Sequence, residues 1–198
     1  IALLGWHPSH NQELFTCDEL IANFSLSRIS KSGACFDIDK AKWFNQKYVQ
    51  KIEDEVLATH YLLPDLAAQN IACTKSYATK ISSLLKKSIT FPQELALKSQ
   101  YFFYPPDKDV LQETFNANGE AKAFLADLLK KLSEVDDFQS AYLQALIQTA
   151  ISAHSLKKGQ AMQIIRLAVT GQKAGPSLAE LLEVLGREEV TKRIKNLL

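Results

Sequence analysis

Ile165-Arg166-Leu167-Ala168-Val169-Thr170-Gly171-Gln172-Lys173-Ala174-Gly175-Pro176-Ser177-Leu178 is the stretch from which the rest of the chain can be read. An apolar run carrying one arginine stops at Gly171, a residue suited to the position just past a helix C-terminus. A short basic loop follows, and Pro176 suits the first turn of the next helix because its missing N–H is not needed there. Two helices joined by a rigid elbow are therefore predicted, with one guanidinium and several backbone amides at the bend.

Outward from the elbow the pattern stays helical. Gly186 closes a helix over 178–185, and Val190, Ile194 and Leu197 mark a closing helix over 188–198. Gly159 precedes a helix over 162–170. Ala121, Phe124, Leu125, Leu128 and Leu132 share one helical face, Tyr142, Leu146, Ile147, Ala150 and Ile151 another, and Asp136-Asp137 separates the two. Upstream, Tyr104-Pro105-Pro106 is the strongest linker signal, since a residue before proline is pushed out of the helical region. A helix over 95–103 precedes it, opened by Pro92, and before that a helix over 74–88 carries Tyr77, Ile81, Leu84 and Leu85. Pro64 is expected to break the helix that starts near Glu53. Thr16-Cys17-Asp18-Glu19 is a capping box, opening a helix whose buried face is expected to be Leu20, Ile21 and Phe24. A helix over 38–52 follows, with Ala41, Phe44, Tyr48 and Ile52 in a stripe. With no period-2 strand and no repeat, the fold class expected is all-α.

The 198 residues, 46% of them hydrophobic, can bury one good core or two small ones. No apolar run approaches the ~18 residues of a membrane span, and the N-terminus lacks the basic flank of a signal peptide. A cytoplasmic protein with no membrane role is expected. Met162 is the only methionine, so the chain reads as an excised piece of a longer protein. Cys17, Cys35 and Cys73 match no zinc or redox spacing, and the four histidines are scattered, so no metal site is predicted. The net charge of +1 hides an asymmetry: residues 107–139 hold four basic and eight acidic groups, residues 140–198 eight basic and four acidic. A basic final third suits phosphate, and is also ordinary surface charge.

Three blocks in order carry a resemblance. They are Leu3-Leu4-Gly5-Trp6 with Phe24, Arg28-Ile29-Ser30-Lys31-Ser32, Phe36-Asp37 and Lys42-Trp43-Phe44-Asn45; the Thr90-x-x-x-Glu94-Leu95 segment; and Arg166-Leu167-Ala168-Val169-Thr170-Gly171 with Gly175-Pro176 and Leu181-Leu182-Glu183-Val184-Leu185-Gly186. Together they resemble the tRNA-binding part of the bacterial-type glutamyl-tRNA synthetases, class I aminoacyl-tRNA synthetases, over essentially the whole chain. The resemblance implies a helical anticodon-binding cage without the catalytic domain: 1–52 a connecting, stem-contact-like segment, 53–106 and 107–198 two helical anticodon-binding subdomains. It implies tRNA(Glu) as partner, with tRNA(Gln) as a second candidate. Glutamate, ATP and Mg would be used by the parent glutamate–tRNA ligase at a catalytic domain outside this chain, and no cofactor is expected within it.

The resemblance also assigns residues. Arg166 takes the role of base reader, with Gly175, Pro176, Ser177 and Leu178 shaping the wall around it. On the residues alone, Arg166 reads first as a helix residue pairing with a carboxylate such as Glu180 or favouring the helix dipole, and only the resemblance reverses that order. A family position that often carries an arginine checking the third anticodon base falls on Ser88, preceded by Lys86 and Lys87; Lys87 and Ser88 are therefore the candidates there, and the departure leaves the choice between tRNA(Glu) and tRNA(Gln) open. Lys31 and Lys173 are the candidate tRNA-backbone contacts. Arg28-Ile29-Ser30-Lys31-Ser32 looks like the ATP-binding lysine loop of class I synthetases, but that chemistry needs a Rossmann core, and no βαβ pattern is present. No catalytic residue is predicted: Asp136-Asp137 and Glu53-Asp54-Glu55 fall at helix starts, where carboxylates meet the dipole, and His154-Ser155 lacks the elbow and acid of a hydrolase. An alternative reading, a helical protein-interaction module, would use Tyr101, Phe102, Phe103 and Tyr104 as a partner groove.

Overall fold

The computed structural model describes residues 2–31, 33–108, 111 and 119–198. Regular structure among them is helical, as the all-α reading expects; the one β feature is an isolated antiparallel bridge between Trp6 and Ile29. The chain divides into two compact units, Ile1–Tyr48 and Val49–Leu198.

In the first unit Trp6 and Phe15 form a small aromatic centre, edge to face at 6.2 Å. The capping box is present at Thr16: its hydroxyl accepts from Glu19 N at 3.2 Å, and the Glu19 carboxylate accepts from Thr16 N at 2.7 Å. It opens α1 (Cys17–Asn23). The expected buried face of that helix is a correction: Leu20 is half-buried, but Ile21 is 72% and Phe24 53% exposed. A unit this small has too little interior to cover every apolar stripe. α2 (Ile38–Val49) ends before the predicted 52, and Tyr48, its ring exposed, donates its hydroxyl to Phe15 O at 2.8 Å.

The second unit holds one continuous apolar core, from Val49 to Leu197. α3 (Asp54–Leu57) runs through a π-helical segment, Ala58–Leu62, into α4 (Leu63–Ala68), so Pro64 does not break the helix as expected. Proline has no N–H and its ring collides with the carbonyl four residues back. Widening the preceding turn absorbs that conflict, and the helical run continues through Pro64. Leu57, Ala58, Leu62 and Leu66 all stay buried as a result. α5 (Lys75–Leu85) is capped by Thr74, and a 3-10 turn, Lys86–Ser88, ends it earlier than the predicted 88. α6 (Glu94–Lys98) and α7 (Gln100–Phe103) follow, with buried Ser99 between them.

α8 (Gly119–Glu134) buries the five residues its stripe predicts. In α9 (Ser140–Ser152) the buried face is Leu143, Ile147, Ala150 and Ile151, one position away from the expected start: Tyr142 is 53% exposed. α10 (Lys158–Thr170) takes Gly159 into its first turn, and α11 (Leu178–Leu185) and α12 (Arg187–Lys195) complete the chain. α12 packs on α8, and α11 packs on both α9 and α5, so the helix leaving the elbow is braced from either side of the Pro105-Pro106 dipeptide.

Candidate nucleic-acid interface

Gly171 ends α10 in the left-handed conformation, φ +70°, with its N–H on Leu167 O at 2.8 Å. Thr170 reinforces the stop: its hydroxyl donates to Arg166 O at 2.7 Å and accepts from Gln172 N at 3.1 Å. Residues 171–175 are exposed, and Lys173 stands on this outer rim. Pro176 does not open the next helix as expected. Ser177 is the N-cap and Pro176 lies one residue outside it, where its carbonyl faces back toward α10.

Arg166 meets that carbonyl. Its Nη2 donates to Pro176 O at 2.6 Å, so neither Glu180 nor the helix dipole is its anchor. Nη1 is buried and makes no hydrogen bond within the protein. Gly175 explains how the fork fits: a Cβ there would stand 2.8 Å from Nη1, so the guanidinium lies where any larger residue would put its side chain. Burial pushes the Arg166 guanidinium below the usual arginine range, with the Tyr101 phenol acting the other way. Burial also raises Tyr101 to about 12, opposed by the Arg166 charge, and the Tyr101 hydroxyl is likewise buried without a hydrogen bond. Leu178 is buried as the first residue of α11, and Ser177 is exposed.

The other candidate positions lie apart in sequence and differ in kind. Lys86 is held by Asp54 at 3.0 Å, across the start of α3. Lys87 and Ser88 are exposed on the 3-10 turn; Ser88 Oγ donates to Leu85 O at 2.7 Å, and its carbonyl accepts from Lys98 Nζ. Lys31 is exposed after the bridge formed by Ser30 N on Gly5 O at 2.8 Å; Ser32 of that motif lies outside the described residues. Tyr101 and Phe102 are core residues and Phe103 packs against them, leaving Tyr104 exposed, so the four aromatics do not line a groove. His154 sits 3.5 Å from Asp127 with its ring edge-on to Phe124, a packed position rather than a catalytic one. Among the described residues no group of three His, Cys, Asp or Glu can hold a metal ion, and no helix is long and apolar enough to cross a membrane.

Sequence reasoning missed Arg193. It is 3% exposed and makes three hydrogen bonds of 2.6 Å, to Glu189, Tyr101 O and Val169 O. A signal was available: Val190, Ile194 and Leu197 define the apolar face of α12, and position 193, three residues after Val190 and four before Leu197, borders that face.

Three kinds of comparison agree. The chain is 35% identical over 195 residues to the glutamate–tRNA ligase of Flavobacterium psychrophilum and 36% identical over 201 residues to that of Amoebophilus asiaticus, covering 98% and 100% of this chain. It covers 39% of each of those two proteins. A crystal structure of a glutamate tRNA ligase from Elizabethkingia meningosepticum, in complex with its amino acid, superposes with a TM-score of 0.85 at 31% identity over 99% of this chain and 39% of that one. A glutamate-tRNA synthetase structure from Elizabethkingia anophelis gives 0.78 at 32% identity. The family model described as the anticodon binding domain matches residues 42–198, the whole second unit and the last turns of the helix leading into it. By that match the chain belongs to the anticodon-binding domain family.

Proposed function

We propose that this chain is the tRNA-reading part of a glutamate–tRNA ligase and that Arg166 reads an anticodon base at the elbow. The observation that carries the reading is the state of its fork: one nitrogen held by Pro176 O, the other buried and without a hydrogen bond within the protein, behind a rim of exposed residues. An anticodon loop offers unpaired bases whose edges can be read by a planar donor pair. Movement of residues 171–175 brings Nη1 to such an edge, and the cost of leaving that donor unpaired is then recovered. Gly175, Pro176, Ser177 and Leu178 form the wall, Lys173 and Lys31 meet phosphate, and Lys87 and Ser88 face a second position of the loop, where tRNA(Glu) and tRNA(Gln) would be told apart.

In this reading residues 53–106 and 107–198 are two subdomains acting on one anticodon, and 1–52 connects them to the remainder of the parent. ATP, Mg and glutamate belong to that remainder, in a cytoplasmic enzyme. No step of the ligation is assigned to this chain.

Binding of the chain to a tRNA(Glu) transcript, measured from low to moderate salt, tests the proposal. Affinity should fall linearly with salt on logarithmic axes as phosphates regain counterions. An absence of tRNA binding at low salt, or binding indifferent to salt, refutes it.

A further inference from the structure

Arg193 joins two helix ends that the elbow depends on. Its Nη1 donates to the carbonyls of Tyr101 and Val169, and its Nε to Glu189 Oε1 one turn back on α12. Both carbonyls lie in last turns, of α7 and α10, where terminal C=O groups have no donor from their own helix. A cation at a helix C-terminus also complements the dipole. α7 leads into Tyr104-Pro105-Pro106 and α10 into the elbow, and the two exits meet: a Cβ at Gly171 would lie 3.0 Å from Pro106 Cβ. Arg166 stands one turn before Val169 on α10, and its charge acts on Tyr101.

We propose, resting on the reading of Arg166 above, that Arg193 is a positioning residue for anticodon recognition. It sets the angle at which α10 delivers Arg166 to the elbow by clamping the end of α10 to the end of α7. A guanidinium suits this task because two nitrogens of one rigid group serve three acceptors. Lysine has a single nitrogen and cannot meet the two carbonyls and Glu189 in that arrangement. Glu189 accepts from Nε and so fixes the guanidinium at its base, being itself only partly exposed.

The test compares a tRNA(Glu) transcript with the same transcript altered in its anticodon, binding to the chain with no substitution, with Arg193→Lys, with Arg166→Lys, and with both. All are measured well below each variant's unfolding midpoint. Arg193→Lys should cut the ratio of the two affinities by about tenfold, the scale of one bidentate base contact, with affinity for the altered transcript and the salt slope unchanged. Added to Arg166→Lys it should reduce discrimination little further, because its effect runs through Arg166. A merely stabilising residue would lower the unfolding midpoint without moving the ratio. Unchanged discrimination in folded Arg193→Lys, or losses from the two substitutions that multiply independently, overturns the assignment. If Arg193→Lys does not fold, Glu189→Ala takes its place: it frees the fork from a half-buried position and should lower the ratio, and an unchanged ratio there also overturns it. Equal affinity of the unsubstituted chain for both transcripts instead removes the anticodon reading itself, and the assignment with it.

Discussion

Gly175→Ala separates the elbow's function from its stability. The backbone at Gly175 is not in the left-handed region, so alanine is tolerated there, and restricting the unfolded chain should gain about 0.4–1 kcal/mol. The new methyl would sit 2.8 Å from Arg166 Nη1. That atom ends a flexible side chain, so the guanidinium swings aside and the bond from Nη2 to Pro176 O is weakened or lost. A hydrogen bond from a charged donor is worth about 1.5–3 kcal/mol, which leaves a net loss of stability of roughly 1 kcal/mol. Base reading depends on the fork's place, and should lose about 1–3 kcal/mol of discrimination, a factor of roughly 5 to 150. Gly171→Ala is the control. Its φ of +70° costs an L-residue roughly 1–2 kcal/mol, and the Cβ meets Pro106 Cβ at 3.0 Å, a ring that cannot swing away. Urea unfolding should therefore separate the two, with Gly171→Ala the less stable. Binding of cognate and anticodon-altered transcripts supplies the second measurement. Wild-type discrimination in Gly175→Ala, or a stability loss matching that of Gly171→Ala, would refute the account of why residue 175 is glycine.

Arg166→Lys keeps the charge and loses the planar pair, so its affinity loss of about 1–3 kcal/mol should fall on the cognate anticodon; Lys173→Ala should weaken cognate and altered transcripts alike and lower the salt slope by about one. Equal losses on both transcripts for Arg166→Lys would make it a structural or phosphate residue. Tyr77 and Tyr101 are both pushed up to about 12 by burial. The unfolded phenols ionise first as pH rises, so the stability they contribute is intact below pH 10 and is lost between about 10 and 12. Urea titrations across that range, with Tyr77→Phe and Tyr101→Phe flattening the decline, check this. Phe124→Ala empties a fully buried position in α8 and should cost about 3–5 kcal/mol in the same assay.

Periodicity, caps and glycine stops act within a few residues, and the sequence determined what depends on them. The all-α class, the capping box at Thr16, the stripe of α8 and the left-handed stop at Gly171 belong to that group, and so does the elbow itself. Order and spacing of short blocks sufficed for the family. Tertiary structure decided the rest. Ile21 and Phe24 carry a helical apolar pattern, yet a unit of this size cannot cover them. Pro64 reads as a break, and continues a helix because a wider turn before it removes the clash. Arg166 could not be assigned a partner from its neighbours in sequence: its acceptor is a carbonyl ten residues on, reached only because α11 folds back, and the space it fills exists because Gly175 has no side chain. Arg193 is charged and therefore reads as surface, but its three acceptors come from α7, α10 and α12, and only their convergence makes a buried guanidinium stable there.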